Sequence, residues 1–270
     1  MILITGMSGR LASLIHAGAT AKGLSPLAGS STVSAATDSM RRLDFDDPSS
    51  LDLHGVSSLM IVSAGYGEDD VVIGRHDRII SAAEQQGVGH IVYTSLAGEG
   101  DHLAFALAHR WTERRLQRSS VNWTILRNGL YAELIADLAA PADGIISAPF
   151  GAGRISTVVR ADLADAAVTV LADPAAHQNV VYELSGTKAW GIADLADALG
   201  VVYRPVGLGE QRQRLATPPL LPFQPAMLMS IYSAAAHGFL ESSRSDLPAL
   251  LGAAPRPSLA EALKHLGQQS

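Results

Sequence analysis

The first residues of the chain have the types and spacing needed to bind a pyrophosphate. A short apolar run, residues 2–5, leads directly into Gly6-x-x-Gly9-x-x-Ala12 and a helical pattern. Gly6 permits a tight turn, Gly9 lets the backbone approach the phosphates, and the small Ala12 lets the helix pack closely on the strand. The free N–H groups at the helix start then face the anion. Because glycines three residues apart are common, an ordinary strand–turn–helix joint is the alternative.

The elements that must position this turn indicate the fold class. Strand-like runs alternate with helical patterns, which predicts βαβ units and a doubly wound parallel sheet. The predicted strands are residues 2–5, 24–28, 42–45, 59–63, 90–94 and 123–127, and the predicted helices are residues 9–22, 48–53, 69–86 and 104–118. Ligands of such sheets lie beyond the carboxyl ends of the strands. Small or polar groups stand at four of these ends, at residues 6–9, 63–65, 94–95 and 128–129.

The pattern changes after residue 138. Further strands are predicted at residues 180–184 and 201–206, and further helices at residues 160–171, 192–199, 226–236 and 258–266. Ser258 and Glu261 have the spacing of a capping box at the start of the last helix. We therefore predict a Rossmann-type α/β fold in which residues 1–138, with interleaved later segments, form a nucleotide-binding domain. Residues 139–270 are expected to form a smaller α/β region that caps the substrate side of the sheet.

Composition narrows the classes of function. The 270 residues are 47% hydrophobic and 17% charged, which suffices for a large core, and the net charge of −6 argues against an electrostatic nucleic-acid binder. The absence of cysteine excludes disulfides and thiolate chemistry. His76 and Asp77 have no third ligand at a suitable spacing, so no metal site is predicted. No signal peptide or membrane-spanning stretch is visible, and a soluble, cytoplasmic protein is expected.

Several motifs, in order along nearly the whole chain, resemble one family. They are Ile4-Thr-Gly-Met-Ser-Gly-Arg-Leu, Ile91-Val-Tyr-Thr-Ser-Leu, His109-x-x-Thr112-Glu113-x-x-Leu116, Thr124-x-Leu-Arg-Asn-Gly-x-Tyr131, Gly153-Arg-Ile-Ser-x-x-x-Arg160-Ala-Asp162 and Val181-Tyr-Glu-Leu-Ser-Gly. The chain resembles the NmrA-like, atypical short-chain dehydrogenase/reductases. Within that group it is most similar to bacterial type 2 NAD(P)H:quinone oxidoreductases and triphenylmethane reductases. Leu-Arg-Asn-Gly-x-Tyr is the most specific of these motifs, and the glycine turn is the least specific.

The resemblance implies a nicotinamide cofactor lying over the edge of the sheet. Its phosphates would contact Gly6, Ser8, Gly9, Arg10 and Leu11, its adenine would lie near Asp44 and Phe45, and Ser63, Ala64 and Gly65 would follow the ribose and phosphates. Thr94 and Ser95 would approach the nicotinamide, and Asn128, Gly129 and Tyr131 would lie between the cofactor and the substrate.

The choice between NADP and NAD depends on the residues after the second strand. The family commonly has Arg-Asn there, and the arginine pairs with the 2′-phosphate of NADP, whereas this chain has Gly29-Ser30. The carboxylate that would bind the 2′-hydroxyl of NAD is also missing. The hydroxyl groups of Ser30, Ser31 and Thr32, or the guanidinium of Arg10, remain available for a 2′-phosphate. NADPH is therefore favoured slightly over NADH.

The resemblance also sets an expectation for the chemistry. Ordinary short-chain dehydrogenases use a Tyr-x-x-x-Lys pair, but Tyr93 is followed four positions later by Ala97, and no lysine lies between Lys22 and Lys188. Alcohol oxidation by that route is disfavoured. A conjugated carbonyl stacked on a nicotinamide accepts hydride without a strong acid–base pair, because the protein mainly positions the two rings. We therefore expect hydride transfer to a quinone or a similar planar conjugated acceptor.

Three side chains are catalytic candidates. Tyr131 would shape the acceptor pocket or donate a hydrogen bond, and otherwise would be a packed aromatic at a helix start. His109, four residues before Glu113 on one helix face, would orient the acceptor or donate a proton, and otherwise would hold a loop. Asn128 would hydrogen-bond the nicotinamide region, and otherwise would hold the turn after its strand.

Two other functions fit the same residues. A non-catalytic NmrA-like sensor that binds NAD(P) and partner proteins is equally compatible with the missing Tyr–Lys pair. A biosynthetic tailoring reductase would share the mechanism and differ in its substrate. The expected partner is a small conjugated molecule, with no nucleic acid and no membrane, and a homodimer is compatible with the chain.

Overall fold

The computed structural model describes residues 1–32, 37, 39–63, 67–98, 101–216 and 220–268. The first half of the chain alternates strands and helices: β1 (Ile2–Ile4), α1 (Arg10–Ala21), β2 (Leu27–Ser30), β3 (Met40–Arg42), β4 (Ser58–Ile61), α2 (Asp69–Gln85), β5 (His90–Leu96), α3 (Ala106–Gln117), β6 (Asn122–Asn128) and α4 (Ala132–Leu138). A short 3-10 helix, Pro48–Ser50, precedes β4, and the carboxylate of Asp47 accepts the Ser49 N–H at its start.

The second half contains shorter strands between helices. These are β7 (Ile145–Ala148), β8 (Arg154–Ile155), α5 (Arg160–Ala172), β9 (Val180–Leu184), β10 (Trp190–Gly191), α6 (Ile192–Leu199), β11 (Val202–Pro205), α7 (Leu208–Leu215), α8 (Gln224–Ala236), α9 (Leu247–Leu251) and α10 (Ser258–Gly267). A 3-10 helix at Pro174–His177 precedes β9. None of the helices in the described part of the chain has the length and apolar character needed to cross a bilayer.

Seven parallel strands form the central sheet, in the order β3-β2-β1-β4-β5-β6-β9. The strand order reverses beside β1, and a crevice opens at such a point beyond the carboxyl ends of the strands. Every residue of β4 and β5 is buried, as expected for strands covered by helices on both faces. The Rossmann-type doubly wound fold predicted from the sequence is confirmed.

Segments after residue 138 contribute to this central sheet. β9 pairs with β6, from Thr124 opposite Val180 to Asn128 opposite Leu184. Helix α5 packs on α1, where Val168 contacts the position of Gly18. The chain therefore returns to the central sheet after it has formed β7 and β8.

The capping region has its own core. β8 pairs antiparallel with β10, β7 pairs parallel with β11, and helices α4, α6, α8 and α10 pack against them. At the centre of this core the rings of Phe150 and Tyr232 meet edge-on, with centroids 4.8 Å apart. This core carries α8 over the carboxyl edge of the central sheet.

The predicted second strand is wrong in its position. β2 spans Leu27–Ser30 and not residues 24–28, because Pro26 stands before the strand and Ser25 has a left-handed φ of 47°. The resulting register places Leu3 of β1 opposite Leu27.

The predicted third strand, residues 42–45, is also wrong. β3 ends where that prediction begins, and Asp44 and Phe45 follow the strand. Leu43 is held beside Gly29, where an added Cβ would lie 2.6 Å from the Leu43 Cδ1. The absence of a side chain at Gly29 therefore lets the chain turn closely past β2.

The predicted capping box on the last helix does not form. α10 begins at Ser258 itself, after Pro257, with no side-chain hydrogen bond at its start. The Ser258 hydroxyl instead accepts a hydrogen bond of 3.1 Å from the Trp190 indole N–H. A tertiary contact has replaced the local one.

The outer edge of β9 is paired by a loop. The Glu183 N–H donates to the Asp246 carboxylate at 2.8 Å, and the Glu183 carbonyl accepts the Asp246 N–H at 2.8 Å. The Ser245 hydroxyl donates to the Ser185 carbonyl at 2.6 Å. This loop leads into α9, which packs on α5.

Candidate functional site

A cleft of about 760 Å³ opens at the carboxyl edge of the central sheet. The residues after β4, the ends of β5 and β6, and the start of α1 form one side, and helices α3, α4 and α8 form the other. The second side is mainly apolar and has His109 and Asp137 as its polar members; its apolar side chains include Phe105, Leu134, Phe223 and Met227. A polar wall faces an apolar wall, which suits a dinucleotide beside a flat apolar molecule.

The glycine turn lies at the start of α1. Gly6 has a φ of +73°, a conformation that glycine adopts without strain, and the Gly9 N–H donates to the Gly6 carbonyl at 2.8 Å. Among the described residues, a Cβ at Gly9 would meet only that carbonyl, at 3.3 Å. The first turn of α1 contains no acidic residue. The helix N-terminus is therefore open to an anion.

Three other predicted phosphate contacts flank this turn in different ways. Ser8 is exposed, and Arg10 is exposed and lines the cleft. No ion pair of Arg10 is found within the described ranges. The side chain of Leu11 is buried in the core between β1 and α5, so only its main chain can face a cofactor.

The predicted adenine-side residues lie beside the cleft and not in its wall. Ser30 is buried at the end of β2, and its hydroxyl lies 2.9 Å from that of Thr32. Asp44 accepts the Asp46 N–H at 3.0 Å. Phe45 packs partly against the core. The order of these residues along the sheet edge matches a dinucleotide extending from β1 towards β3.

Hydroxyl groups join the strand ends beneath the predicted cofactor. The Ser63 N–H donates to the Thr94 hydroxyl at 2.9 Å, and the Val62 N–H donates to the Thr5 hydroxyl at 3.1 Å. The Ser95 hydroxyl donates to Glu113 at 2.5 Å. These bonds fix the relative positions of β1, β4, β5 and α3. The predicted contacts at Ala64 and Gly65 lie outside the described residues.

Asn128 places a buried hydrogen-bond acceptor in the cleft. It lines the cleft and is 6% exposed, and its Oδ1 has no hydrogen-bond partner in the part of the chain that the structure describes. A buried acceptor without a partner is costly, and a carboxamide N–H would satisfy it.

Gly129 has a packing role as well as a place in the cleft wall. Its N–H donates to the Leu184 carbonyl at 2.9 Å. A Cβ there would lie 3.3 Å from Leu184, Ser185 and Val158 atoms. This packing fixes the position of Gly129, the residue that follows Asn128.

Tyr131 and Arg160 form a pair in the wall of the cleft. The guanidinium carbon of Arg160 lies 4.5 Å from the centre of the Tyr131 ring, within the range of a cation–π contact. The same guanidinium lies 3.3 Å from Glu133. The predicted catalytic Tyr131 is therefore held at the cleft wall, immediately before α4.

His109 lines the cleft, but its neighbours differ from those that spacing suggests. Its Nδ1 lies 2.7 Å from the hydroxyl of Tyr93, whose side chain is completely buried. Burial, reinforced by the neighbouring Arg110, lowers the pKa of His109 to about 4, so the ring is neutral at pH 7. Glu113, on the same helix face, binds Ser95 instead.

Tyr93 is the functional neighbour that sequence reasoning missed. Tyr93 is on β5 and His109 on the following helix, sixteen residues apart. No local spacing rule connects a buried strand residue to a helix residue at that separation. Only the packing of α3 on β5 brings the two together.

The described residues fit a dinucleotide cofactor. The open Gly9, the α1 N-terminus without acidic residues and the unmatched Asn128 Oδ1 stand along one crevice. The described ranges hold no group of three or more His, Asp or Glu side chains that could bind a metal ion.

Comparisons with known proteins identify the family of the chain. Residues 9–174 match a family model described as NAD(P)H-binding. Quinone oxidoreductase 2 of Escherichia coli (strain K12) is 33% identical over 238 residues, which is 84% of this chain and 82% of that protein.

Two solved structures are similar over nearly their whole length. The triphenylmethane reductase of Citrobacter sp., complexed with NADP(H), has a TM-score of 0.87 at 28% identity, covering 97% of this chain and 99% of that one. The NADPH-dependent quinone oxidoreductase of Escherichia coli, complexed with NADPH, has a TM-score of 0.86 at 30% identity, covering 99% of this chain and 100% of that one. The chain belongs to the NAD(P)H-binding family, in its NmrA-like, atypical short-chain dehydrogenase/reductase branch.

Proposed function

We propose that this NAD(P)H-dependent oxidoreductase transfers hydride to a quinone or a similar planar conjugated acceptor. The observation that carries the proposal is the cleft, with its glycine turn and unmatched Asn128 on one side and its apolar wall on the other. The similarity to a quinone oxidoreductase and a triphenylmethane reductase supports this class of acceptor. An apolar wall of Phe105, Phe223 and Met227 favours a flat, weakly hydrated molecule.

The chain would hold the cofactor through main-chain groups and one amide. The cofactor, when bound, supplies the hydride. The N–H groups at the start of α1 bind the pyrophosphate, and Gly9 leaves room for it. Asn128 Oδ1 accepts a hydrogen bond from the carboxamide and so orients the nicotinamide ring. Orientation of the two rings is the main contribution of the protein to the rate.

The acceptor would be positioned by Tyr131 and His109. Both line the cleft, and each has a polar atom that can donate a hydrogen bond to a carbonyl oxygen. Negative charge develops on that oxygen when hydride arrives, and a donor fixed in place stabilises it. Because His109 is neutral at pH 7, it acts there as a hydrogen-bond donor and not as a charged acid.

We propose NADPH as the preferred cofactor. Arg10 is an exposed guanidinium at the glycine turn, and the Ser30 and Thr32 hydroxyls meet at the end of β2. These groups can bind a 2′-phosphate in place of the arginine that this chain lacks after β2. The NADP(H) and NADPH complexes of the two structural neighbours support the choice.

The experiment that tests the function is a fluorescence titration followed by turnover. Tryptophan emission is recorded as NADPH or NADH is added, and loss of the reduced cofactor is then followed by absorbance with a panel of quinones and cationic dyes. Binding with acceptor-dependent turnover, faster with NADPH, supports the proposal. Binding of both redox forms without turnover supports the non-catalytic sensor instead, and absence of binding contradicts the cofactor site.

A further inference from the structure

A buried hydrogen-bond network lies behind the cleft wall. Its hydrogen bonds form two sets, one joining His76, the Thr112 hydroxyl and the Ala108 carbonyl, and one joining the Tyr93 hydroxyl to His109. The rings of His76 and Tyr93 bring the two sets into contact, with centroids 5.3 Å apart. Of these groups His109 is also part of the cleft wall. The direction of the Tyr93–His109 hydrogen bond therefore decides which nitrogen of His109 carries a proton towards a bound molecule.

The donor and the acceptor of each hydrogen bond can be assigned from two kinds of group: those that can only accept, and those that already donate their one proton elsewhere. The Thr112 hydroxyl donates to the Ala108 carbonyl at 2.8 Å, since a carbonyl only accepts. The His76 Nδ1, 2.8 Å from Thr112, must then be the donor in that pair. The Tyr93 hydroxyl is fully buried and needs an acceptor. The Thr112 and Ser63 side chains lie in its neighbourhood, but among the described residues its short hydrogen bond is to His109 Nδ1, at 2.7 Å. A Tyr93 that donates to Nδ1 leaves the proton of the neutral ring on Nε2.

We propose that Tyr93 is a positioning residue that holds His109 as its Nε2–H tautomer, so that the ring presents an N–H to the oxygen of the acceptor. The Nε2 atom has no acceptor among the described residues, and it is not sealed from the cleft. This inference rests on the proposed function, because it assigns the donor for the acceptor of that reaction.

The same geometry excludes a proton relay through Tyr93. A relay would leave a tyrosinate in a fully buried position, and burial raises the pKa of Tyr93 above its ordinary value. His109 therefore stabilises charge without giving up its proton. The hydride pair adds to the quinone, the cofactor becomes NAD(P)⁺, and the resulting hydroquinone anion takes one proton from water.

The chain offers a matched control for this pair. On the edge strand β9, the Tyr182 hydroxyl lies 2.8 Å from His177 Nδ1, in the same type of contact but outside the cleft wall. Tyr93→Phe and Tyr182→Phe each remove one such hydroxyl and keep the ring. Only Tyr93→Phe should change the rate at which the acceptor is reduced.

The primary test is ¹⁵N NMR of the imidazole rings, with kinetics on the same variants. Wild-type His109 should be protonated at Nε2, and Tyr93→Phe should shift it towards Nδ1–H. With a quinone, Tyr93→Phe should lower kcat by about tenfold and change the Kd for NADPH by less than about twofold. Tyr182→Phe should leave kcat unchanged. Protonation of His109 at Nδ1 in the wild type, or an unchanged kcat in Tyr93→Phe, would overturn the proposal.

A second comparison does not depend on the folding of the Tyr93 variant. The amide nitrogen of glutamine reaches approximately the place of Nε2, and that of asparagine the place of Nδ1. His109→Gln should therefore retain more kcat than His109→Asn, and the reverse order contradicts the assignment. Absence of turnover in the wild type would instead refute the proposed function, while the NMR result would still report the tautomer.

Discussion

The carboxylate of Glu113 accepts two hydrogen bonds from the guanidinium of Arg127, at 2.9 and 2.7 Å. This pair joins α3 to β6, the elements that carry His109 and Asn128 to the cleft. Burial alone would raise the pKa of Glu113, but hydrogen bonds from Arg127 and Ser95 hold it below its ordinary value. The carboxylate is 3% exposed and also pairs with Arg110 at 3.0 Å, so its charge is fully matched.

Removing that charge should destabilise the fold. Glu113→Gln leaves Arg127 and Arg110 near a neutral group, and we expect a loss of about 3 kcal/mol in the free energy of unfolding. Urea denaturation measures this loss of stability. Glu210→Gln removes an exposed partner of Arg214 and should cost less than about 0.5 kcal/mol. Equal losses in the two variants would show that the buried network does not stabilise the protein.

Valine at Gly9 should abolish cofactor binding without unfolding the protein. Gly9 has φ −93° and ψ 148°, which valine adopts easily. Its Cβ would lie 3.3 Å from the Gly6 carbonyl, which must shift slightly, and the rest of the side chain would occupy the space proposed for the pyrophosphate. We expect the Kd for NADPH to rise by at least about a hundredfold, measured by fluorescence titration. Gly207→Val is the control, because Gly207 has a similar conformation before α7 and no neighbour within 4 Å. Retained affinity at Gly9→Val would remove the glycine turn from the site.

Alanine at Arg10 should reduce the preference for NADPH. If the guanidinium binds the 2′-phosphate, the Kd for NADPH should rise by about tenfold and that for NADH by less than about twofold. Calorimetric titration of both cofactors measures the ratio, and the exposed Arg114→Ala serves as the control. An equal loss for both cofactors would place Arg10 on the shared pyrophosphate.

Phenylalanine at Tyr131 should affect turnover more than cofactor binding. The substitution keeps the ring beneath Arg160 and removes only the hydroxyl. We expect kcat to fall by about tenfold with a quinone acceptor and the Kd for NADPH to stay within about twofold. Tyr203→Phe, in the capping region, removes a hydroxyl bonded to the Gly151 carbonyl and is the control. An unchanged kcat at Tyr131→Phe would limit this residue to packing.

The stability of the protein should fall as the pH drops from 7 to 5. Burial lowers the pKa of His76 to about 3, and the pKa values of His90 and His109 to about 4. The unfolded chain protonates these rings near pH 6.5, so their contribution is complete above about pH 6.5 and is lost as the pH falls towards the folded values. Each of the three histidines should lower the free energy of unfolding by about 1 kcal/mol per pH unit below pH 6.

Urea denaturation at pH 7, 6 and 5 measures this dependence. His90→Gln should reduce the slope by about a third, because one of the three protonations is removed. His54→Gln, at an exposed position, should leave it unchanged. A free energy of unfolding that stays constant from pH 7 to pH 5 would contradict the assignment of three neutral buried histidines.

The sequence predicted those parts of the molecule that depend on local pattern. The glycine turn, the parallel strands and the polar strand ends follow from short-range periodicity and spacing, and the central sheet is parallel and doubly wound, as expected. The exact positions of the strands were harder to predict from the sequence. β2 begins at Leu27 because of the backbone conformation of Ser25 and the close packing at Gly29, neither of which has a periodic signal.

The parts that the sequence did not reveal depend on contacts between distant residues. Helix α4 and the small strands β7, β8 and β10 are too short for a clear period, and they are stabilised by packing within the capping core. Arg115 of α3 pairs with Glu84 of α2, 31 residues away, and no spacing rule indicates that pair. Tyr93 behind His109 is a further example, since a tertiary contact defines its role.

The loop that pairs with β9 bears on how copies of this chain can associate. An open strand edge is a template on which another chain can add a strand, and proteins block such edges to avoid runaway aggregation. At Glu183 both main-chain groups on that edge are already bonded to Asp246. A second copy would have to displace this loop before it could continue the sheet there. Self-association that leaves this loop in place cannot extend the central sheet past β9 at that point.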